Sequence, residues 1–277
     1  MVETAASLPG VDTTVPSPAR MYDYFLGGVH SFPVDQAAAE KVLENWPLTG
    51  QICKANRGFL HRAVRFLAAE RGIRQFVDLG SGIPTMGNVH EIAQQAAPDA
   101  RVLYVDIDPV AVMHSHQLLA DNDLADAMPG DLNDPTAVLE QLESNPLIDL
   151  SRPVGLVMAC LLHFLDDQHA YEAVARMVDA LTPGSYLVLT HATVTDFNQA
   201  AAKSVTKVYQ QTTTNVHIRT RDQIMRFLNG LDTLAPGLVW TPEWQPYGTP
   251  ADTEAEFAPN PALSGIYAAV ASVPWRP

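Results

Sequence analysis

Cysteine is nearly missing: Cys53 and Cys160 are the only two in 277 residues, far apart and outside any Cys-x-x-Cys or Cys/His cluster. That excludes a disulfide framework and a structural zinc, so no metal is expected and a reducing cytoplasm fits best. Basic residues are scarce as well, with 17 Lys and Arg against 31 Asp and Glu and a formal net charge of -14. Without a concentrated basic face such a chain repels a phosphate backbone, so no nucleic-acid partner is expected. Arg57, Arg62, Arg65, Arg71 and Arg74 are locally dense, but at helical spacing they read as a solvated face. Long apolar runs are also lacking. The longest, Val154 to Leu162, is too short to span a bilayer, and no basic stretch followed by an apolar one opens the chain. Neither export nor a membrane partner is expected, and there is no internal repeat.

At 47% hydrophobic residues, the chain is long enough for one large α/β domain with a full core. The most informative segment runs from Gln75 through Asp78, Gly80, Ser81 and Gly82 to Thr85 and reads as a buried strand entering a glycine turn. Behind it, Val89, Ile92, Ala93 and Ala96 recur at helical spacing and Pro98 closes the helix. Glycines in a strand-to-helix turn permit positive φ and let a ligand lie against bare backbone, with the N–H groups of the next helix pointing into the same space. The following strand, Arg101 to Asp106, ends in a carboxylate that would accept both hydroxyls of a ribose. Asp108-Pro109 opens a helix whether or not a ligand is present. Farther on, Met128 to Leu132 ends in Gly130-Asp131, an acceptor for an exocyclic amine or simply a turn. A nicotinamide fingerprint would need a third glycine where Thr85 stands, so an oxidoreductase fits poorly.

The succession Asp-x-Gly-x-Gly, strand-terminal Asp, then Gly-Asp resembles S-adenosylmethionine-dependent methyltransferases of the Rossmann-like class. Further segments sharpen it: Ala19 to Gly28, Ala55 to Leu60, Gly82 to Glu91, and Pro183 to Ala192 are similar to one bacterial S-adenosyl methyltransferase family, long carried as a domain of unknown function. The likeness runs from about Pro18 to Trp275 and is silent on the acceptor. It implies an α/β, Rossmann-like fold with a seven-stranded, mostly parallel sheet, the last strand antiparallel, helices on both faces and extra N-terminal helices. It also implies S-adenosyl-L-methionine as cofactor and S-adenosyl-L-homocysteine as product. The cofactor contacts would be Asp78, Gly80, Ser81, Gly82, Asp106, Ile107, Asp131, Leu132 and Ala159. Arg20, Tyr24 and Asn56 would add contacts from the N-terminal segment.

Three regions are expected: a flexible tail over 1–17, a helical cap over 18–72, and a Rossmann-like domain over 73–277 forming one unit with the cap. Ala38, Val42, Leu43 and Trp46 mark one cap helix; Ile52, Phe59, Leu60, Ala63 and Leu67 mark a second, with Asn56 on its apolar face. Arg20, Tyr22, Tyr24 and Phe25 would either pack helices or close over the cofactor on a Gly27-Gly28 hinge. Strands are expected over Val154–Cys160, from Ser185 on, near Leu238–Thr241 and over Gly265–Val273. Asp166 or Asp167 would cap a helix carrying Tyr171, Val174 and Val178. A proline-rich loop from Pro242 to Pro261 would overhang the acceptor pocket and present Trp244, Tyr247 and Phe257 to a neutral or weakly cationic molecule, unless those rings anchor the loop itself.

Transfer of a methyl group from a sulfonium is an in-line displacement in which positioning and exclusion of water carry much of the catalysis. His163 and His191 are the candidates for a weak base, each with the alternative of a hydrogen-bonded histidine ending a strand. His90, His114 and His116 read as helix-surface residues. The function expected is methylation of oxygen or nitrogen on a small-molecule acceptor. The alternative is a catalytically silent sensor of the same cofactor, and oligomeric state is not legible.

Overall fold

The computed structural model describes residues 11–84, 87–194, 199–245 and 252–275. Its frame is a sheet of β1 (Gln75–Leu79), β2 (Arg101–Asp106), β3 (Ala125–Pro129), β4 (Gly155–Ala159), β5 (Tyr186–Ala192), β6 (Asp232–Thr233), β7 (Val239–Trp240) and β8 (Ile266–Ser272). The order is β3-β2-β1-β4-β5-β8-β6, with β7 also on β8. β1 to β5 are mutually parallel, and β8 lies antiparallel to β5, β6 and β7. This is the mostly parallel, Rossmann-like arrangement with an antiparallel last strand.

The far edge corrects the sequence reading. The strand expected near Leu238–Thr241 is the two-residue Val239–Trp240, and a further two-residue strand, Asp232–Thr233, makes the sheet eight-stranded where seven strands were expected. Between them Pro236 has no N–H to give a ladder, and Gly237 adopts φ 94°.

Helices α1 (Pro18–Phe25), α2 (Pro33–Asn45), α3 (Thr49–Glu70), α4 (Val89–Ala96), α5 (Pro109–Leu119), α6 (Pro135–Ser144), α7 (Asp167–Asp179), α8 (Gln199–Tyr209) and α9 (Arg221–Met225) surround the sheet. Their starts follow local chemistry. Asp108, Asp134 and Asp166 accept from the Val110, Ala137 and His169 amides, and Pro stands in the first turn of α1, α2, α5 and α6.

Both faces of the sheet are covered. On one, Val138 and Leu142 of α6, Met177 of α7 and Ile224 of α9 pack on Leu103, Leu156 and Leu187. On the other, Phe59, Val64 and Leu67 of α3 and Ala93 of α4 pack on Phe76, Val102 and Val188. α3 is therefore part of the sheet layer. A separate cluster joins Met21 and Phe25 of α1, Ala39 and Val42 of α2 and Cys53 of α3, with Val205 and Tyr209 of α8 against it.

α8 was not expected, although Ala202, Val205, Val208 and Tyr209 stand at helical spacing. Residues 11–17, read as tail, are held in place: Arg20 Nη2 donates to the Val15 and Asp12 carbonyls at 2.7 and 3.2 Å, and Thr213 N to Pro16 O at 3.0 Å. Residues 1–10 lie outside the described residues, as does Thr85. Among the described residues no helix is long and apolar enough to cross a membrane.

Candidate functional site

The carboxyl ends of β1, β2 and β3 open onto one cavity of about 450 Å³. β1 carries Asp78 to its end and runs into Gly80-Ser81-Gly82. Gly80 and Gly82 adopt φ 65° and 68°, and a Cβ on Gly80 would fall 2.4 Å from the Leu161 side chain. Only glycine fits such a turn, and what faces the cavity is bare backbone. Gly80 and Ser81 amides donate to Val105 O at 2.8 and 3.2 Å, tying the turn to β2.

Asp106 ends β2. It accepts from Gly82 N at 2.7 Å on one oxygen and from Asp108 N at 2.8 Å on the other, and the Ile107 amide adds to their pull. Burial pushes its pKa from 3.8 up to about 6, against the pull of those amides. Asp78 is pushed by burial to about 7, with Arg57 opposing and the Asp106 charge adding. Asp131 lines the cavity after β3 and also shapes its turn by accepting from Asn133 N at 2.9 Å. Ser81, Ile107, Leu132 and Ala159 line the same space.

The opposite wall comes from the N-terminal segment and α3. Asn56 is buried. Its Nδ2 donates to the Tyr22 hydroxyl at 3.0 Å, which donates to Cys53 O at 3.2 Å, while Oδ1 has no partner among the described residues. Next to it Arg57 lines the cavity and donates to Gly87 O at 2.9 Å. Arg20 also borders the cavity, but its guanidinium is engaged by the buried Asp35 carboxylate at 3.0 Å. Ser17 donates its amide to Asp35 at 2.8 Å and its hydroxyl to Asp108, so residues 11–20 form a strap across this wall.

Several expectations are corrected. Tyr24 does not line the cavity, because its hydroxyl turns outward to Glu40 on the exposed surface. A Cβ on Gly28 would sit 2.0 Å from Asp23 Oδ1, so Gly28 is closely packed, whereas Gly27, at φ 83°, has open space where its Cβ would be. His90 is buried against the Tyr104 hydroxyl at 2.8 Å. In the arginine-rich helix, Arg62 is clamped to Glu254 at 2.8 Å and donates to two backbone carbonyls, so Arg57 and Arg62 do not belong to a solvated face.

The two candidate histidines part company. His163, just beyond β4, lines the cavity, and burial drives its pKa well below 6.5, so the ring is neutral. His191 lies behind it, with ring centres 5.4 Å apart, and does not reach the cavity. Its Nε2 meets Arg219 Nη1 at 3.0 Å and its Nδ1 meets Ala192 O at 2.7 Å. A guanidinium only donates, so Nε2 is the acceptor and the proton sits on Nδ1. Arg219, fully buried, also donates to Leu162 O at 2.7 Å and Leu165 O at 2.8 Å, which fixes the turn that carries His163. Nothing local marks Arg219 in the sequence.

The proline-rich loop does not present its rings. Trp244 packs edge-on to Phe59 and Phe66 at 5.4 and 5.9 Å, and Phe257 packs with Ile52 and Ile266. Neither lines the cavity, because large rings bury their area in the core where they can reach it. Tyr247 lies outside the described residues. Aromatic side chains that line the cavity, Tyr22, Phe25, Trp46, Phe164 and Tyr209, come instead from α1, the end of α2, the turn after β4, and α8.

Comparison with known proteins places this geometry. The sequence model of the S-adenosyl methyltransferase family matches residues 4–274. The crystal structure of a candidate methyltransferase from Thermobifida fusca YX superposes with a TM-score of 0.87 at 35% identity, covering 98% of this chain and all of that one. A DUF574 family protein from Streptomyces avermitilis MA-4680 superposes equally well, TM-score 0.87 at 36% identity, covering 95% of this chain and 99% of that one. No curated protein matches the chain.

Proposed function

The chain belongs to the S-adenosyl methyltransferase family, and on that premise we propose that it methylates oxygen or nitrogen on a small-molecule acceptor bound in the cavity above β1–β5. The observation that carries this reading is the row of carboxylates Asp78, Asp106 and Asp131 at three adjacent strand ends, all on one cavity with the glycine turn.

The residues present suit S-adenosyl-L-methionine. Asp78 is buried with its pKa raised to about 7, a state that a neighbouring ammonium would relieve. Asn56 Oδ1 is a buried acceptor in the same wall without a partner, and Arg57 brings a cation for a carboxylate. Asp106, a carboxylate at the end of β2 on the cavity, suits the two ribose hydroxyls. Asp131 suits an exocyclic amine, and Ile107 and Leu132 suit the faces of a base. When bound, the cofactor supplies a methyl group on a sulfonium; its S–CH3 bond breaks as the acceptor's bond to carbon forms, leaving S-adenosyl-L-homocysteine and an acceptor that gives up a proton.

The chain's own part is to position and to dry the site. α1, α2 and α8 roof the cavity and exclude water from the reacting pair. His163 is neutral and offers the acceptor a hydrogen-bonding ring beyond β4. Arg219 and His191 act through it as positioning residues. Calorimetric titration with S-adenosylmethionine, S-adenosylhomocysteine and NAD, followed by methyl-release assays over a metabolite panel, tests the proposal. Micromolar binding of the first two and turnover of a panel member is the expected result. Binding of NAD alone would overturn it, and cofactor binding without turnover of any acceptor would favour the sensor.

A further inference from the structure

We propose that the methyl acceptor is an uncharged, predominantly apolar small molecule, seated between α1, α8 and the turn after β4. This rests on the cofactor reading above, and it names the class of acceptor that reading leaves open.

The cavity is divided by charge. Among the described residues, every charged side chain lining it belongs to the nucleoside and methionine side. Asp78, Asp106, Asp108 and Asp131 follow β1 to β3. Arg57 interacts with Asp78, and Asp12 and Arg20 are in the strap. The strap itself sits on that side, since Val11 and Phe32 pack with Ile83 and Val110 beside the glycine turn and α5.

Among the described residues, the other half has no charged side chain in its wall. Phe25, Cys53, Cys160, Phe164, Val205 and Tyr209 form it, with Tyr22 and His163 at its edge. Its titratable groups are held neutral by burial: the Tyr22, Tyr209 and Cys53 acids are pushed upward, Cys160 to about 11, and His163 is pushed well below 6.5. A carboxylate, phosphate or ammonium brought here would lose its water and find no counter-ion, a cost that an uncharged molecule avoids.

The polar fittings are Thr193, Thr206, Thr213 and Thr214, which line the cavity on and around α8, together with two tyrosine hydroxyls and His163. The Tyr22 hydroxyl is already engaged by Asn56 and Cys53 O. The Tyr209 hydroxyl has no hydrogen-bond partner among the described residues and lines the cavity, so it is open to one polar atom of the acceptor. His163 offers a second contact.

The test uses the full chain and three size-matched probes: 2-naphthol, 2-naphthoate and 2-naphthylmethylammonium, titrated into protein with and without saturating S-adenosylhomocysteine. The naphthol should bind roughly tenfold or more tightly than either ion. In Val205→Lys, which adds a cation to the α8 wall, the naphthoate should gain on the naphthol by a similar factor. Equal or tighter binding of either ion to the unaltered protein, or no binding of any probe, overturns the proposal. Failure of S-adenosylhomocysteine to bind overturns the cofactor reading alone, because the ranking of the three probes on ligand-free protein still decides this one.

Discussion

The two halves of the cavity are made by different means. The half below the strap is built from backbone: a glycine turn, strand ends that are adjacent in the sheet, and carboxylates held by amides two residues away or, for Gly82 on Asp106, from the turn after the neighbouring strand. The half beneath α8 is built from side chains of segments far apart in the chain, such as Cys53, Phe164 and Tyr209, brought together by helix packing. Charge recognition needs fixed dipoles and so clings to local motifs. An apolar chamber needs only shape and dryness, which many residues supply from many places.

The largest effect expected on the charged half is on cofactor affinity. Asp106→Ala should remove two charge-assisted hydrogen bonds, each about 1.5–3 kcal/mol, and lower affinity for S-adenosylhomocysteine by more than roughly a hundredfold in calorimetry. An unaltered affinity would refute the ribose assignment, and an altered ranking of the naphthyl probes would blur the division between the halves.

Breaking the strap comes next. Asp35→Ala strands the buried Arg20 guanidinium and should cost about 3–5 kcal/mol of stability in denaturant titration. Deleting residues 1 to 30 takes away the strap and α1 together. A folded sheet domain with much weaker cofactor binding is the expected outcome, and undiminished binding would show that the strap does not hold the cofactor.

A pH series sharpens the same contrast at smaller amplitude. Asp78 and Asp106 have pKa values raised to about 7 and about 6 in the ligand-free protein. An ammonium beside Asp78 favours its ionised form, so binding releases a proton below pH 7 and S-adenosylhomocysteine affinity should fall as pH drops from 8 to 5. In Asp78→Asn the upper part of that dependence should vanish, with proton release followed by calorimetry in buffers of different ionisation heat. The naphthol, with no charged neighbour, should show little slope between pH 6 and 8.

The smallest effect is expected at Tyr24, whose hydroxyl faces Glu40 on the outside. Tyr24→Phe should shift cofactor affinity by less than about 0.5 kcal/mol. A larger shift would mean that α1 turns to bring this ring inward.

Local chemistry alone carried a good part of this molecule. Strands β1, β2, β4 and β5 were legible because buried parallel strands are continuous apolar runs, α4 because its apolar residues recur at helical spacing, and α5 and α7 because capping residues mark where they start. The glycine turn and the carboxylates that follow it were legible for the same reason: each role depends on a residue and its nearest neighbours. Where competing partners decide, the sequence was mute. Asp35 engages Arg20, Arg57 reaches the cavity while Arg62 is locked to Glu254, and Trp244 and Phe257 go to the core rather than to the acceptor. Arg219 selects the tautomer of His191 from 28 residues away, and α8 turns Tyr209 into a wall of the chamber. These outcomes were left to the tertiary structure because a long side chain has several partners within reach along the chain, and only the packed fold sets which of them is close enough to exclude water.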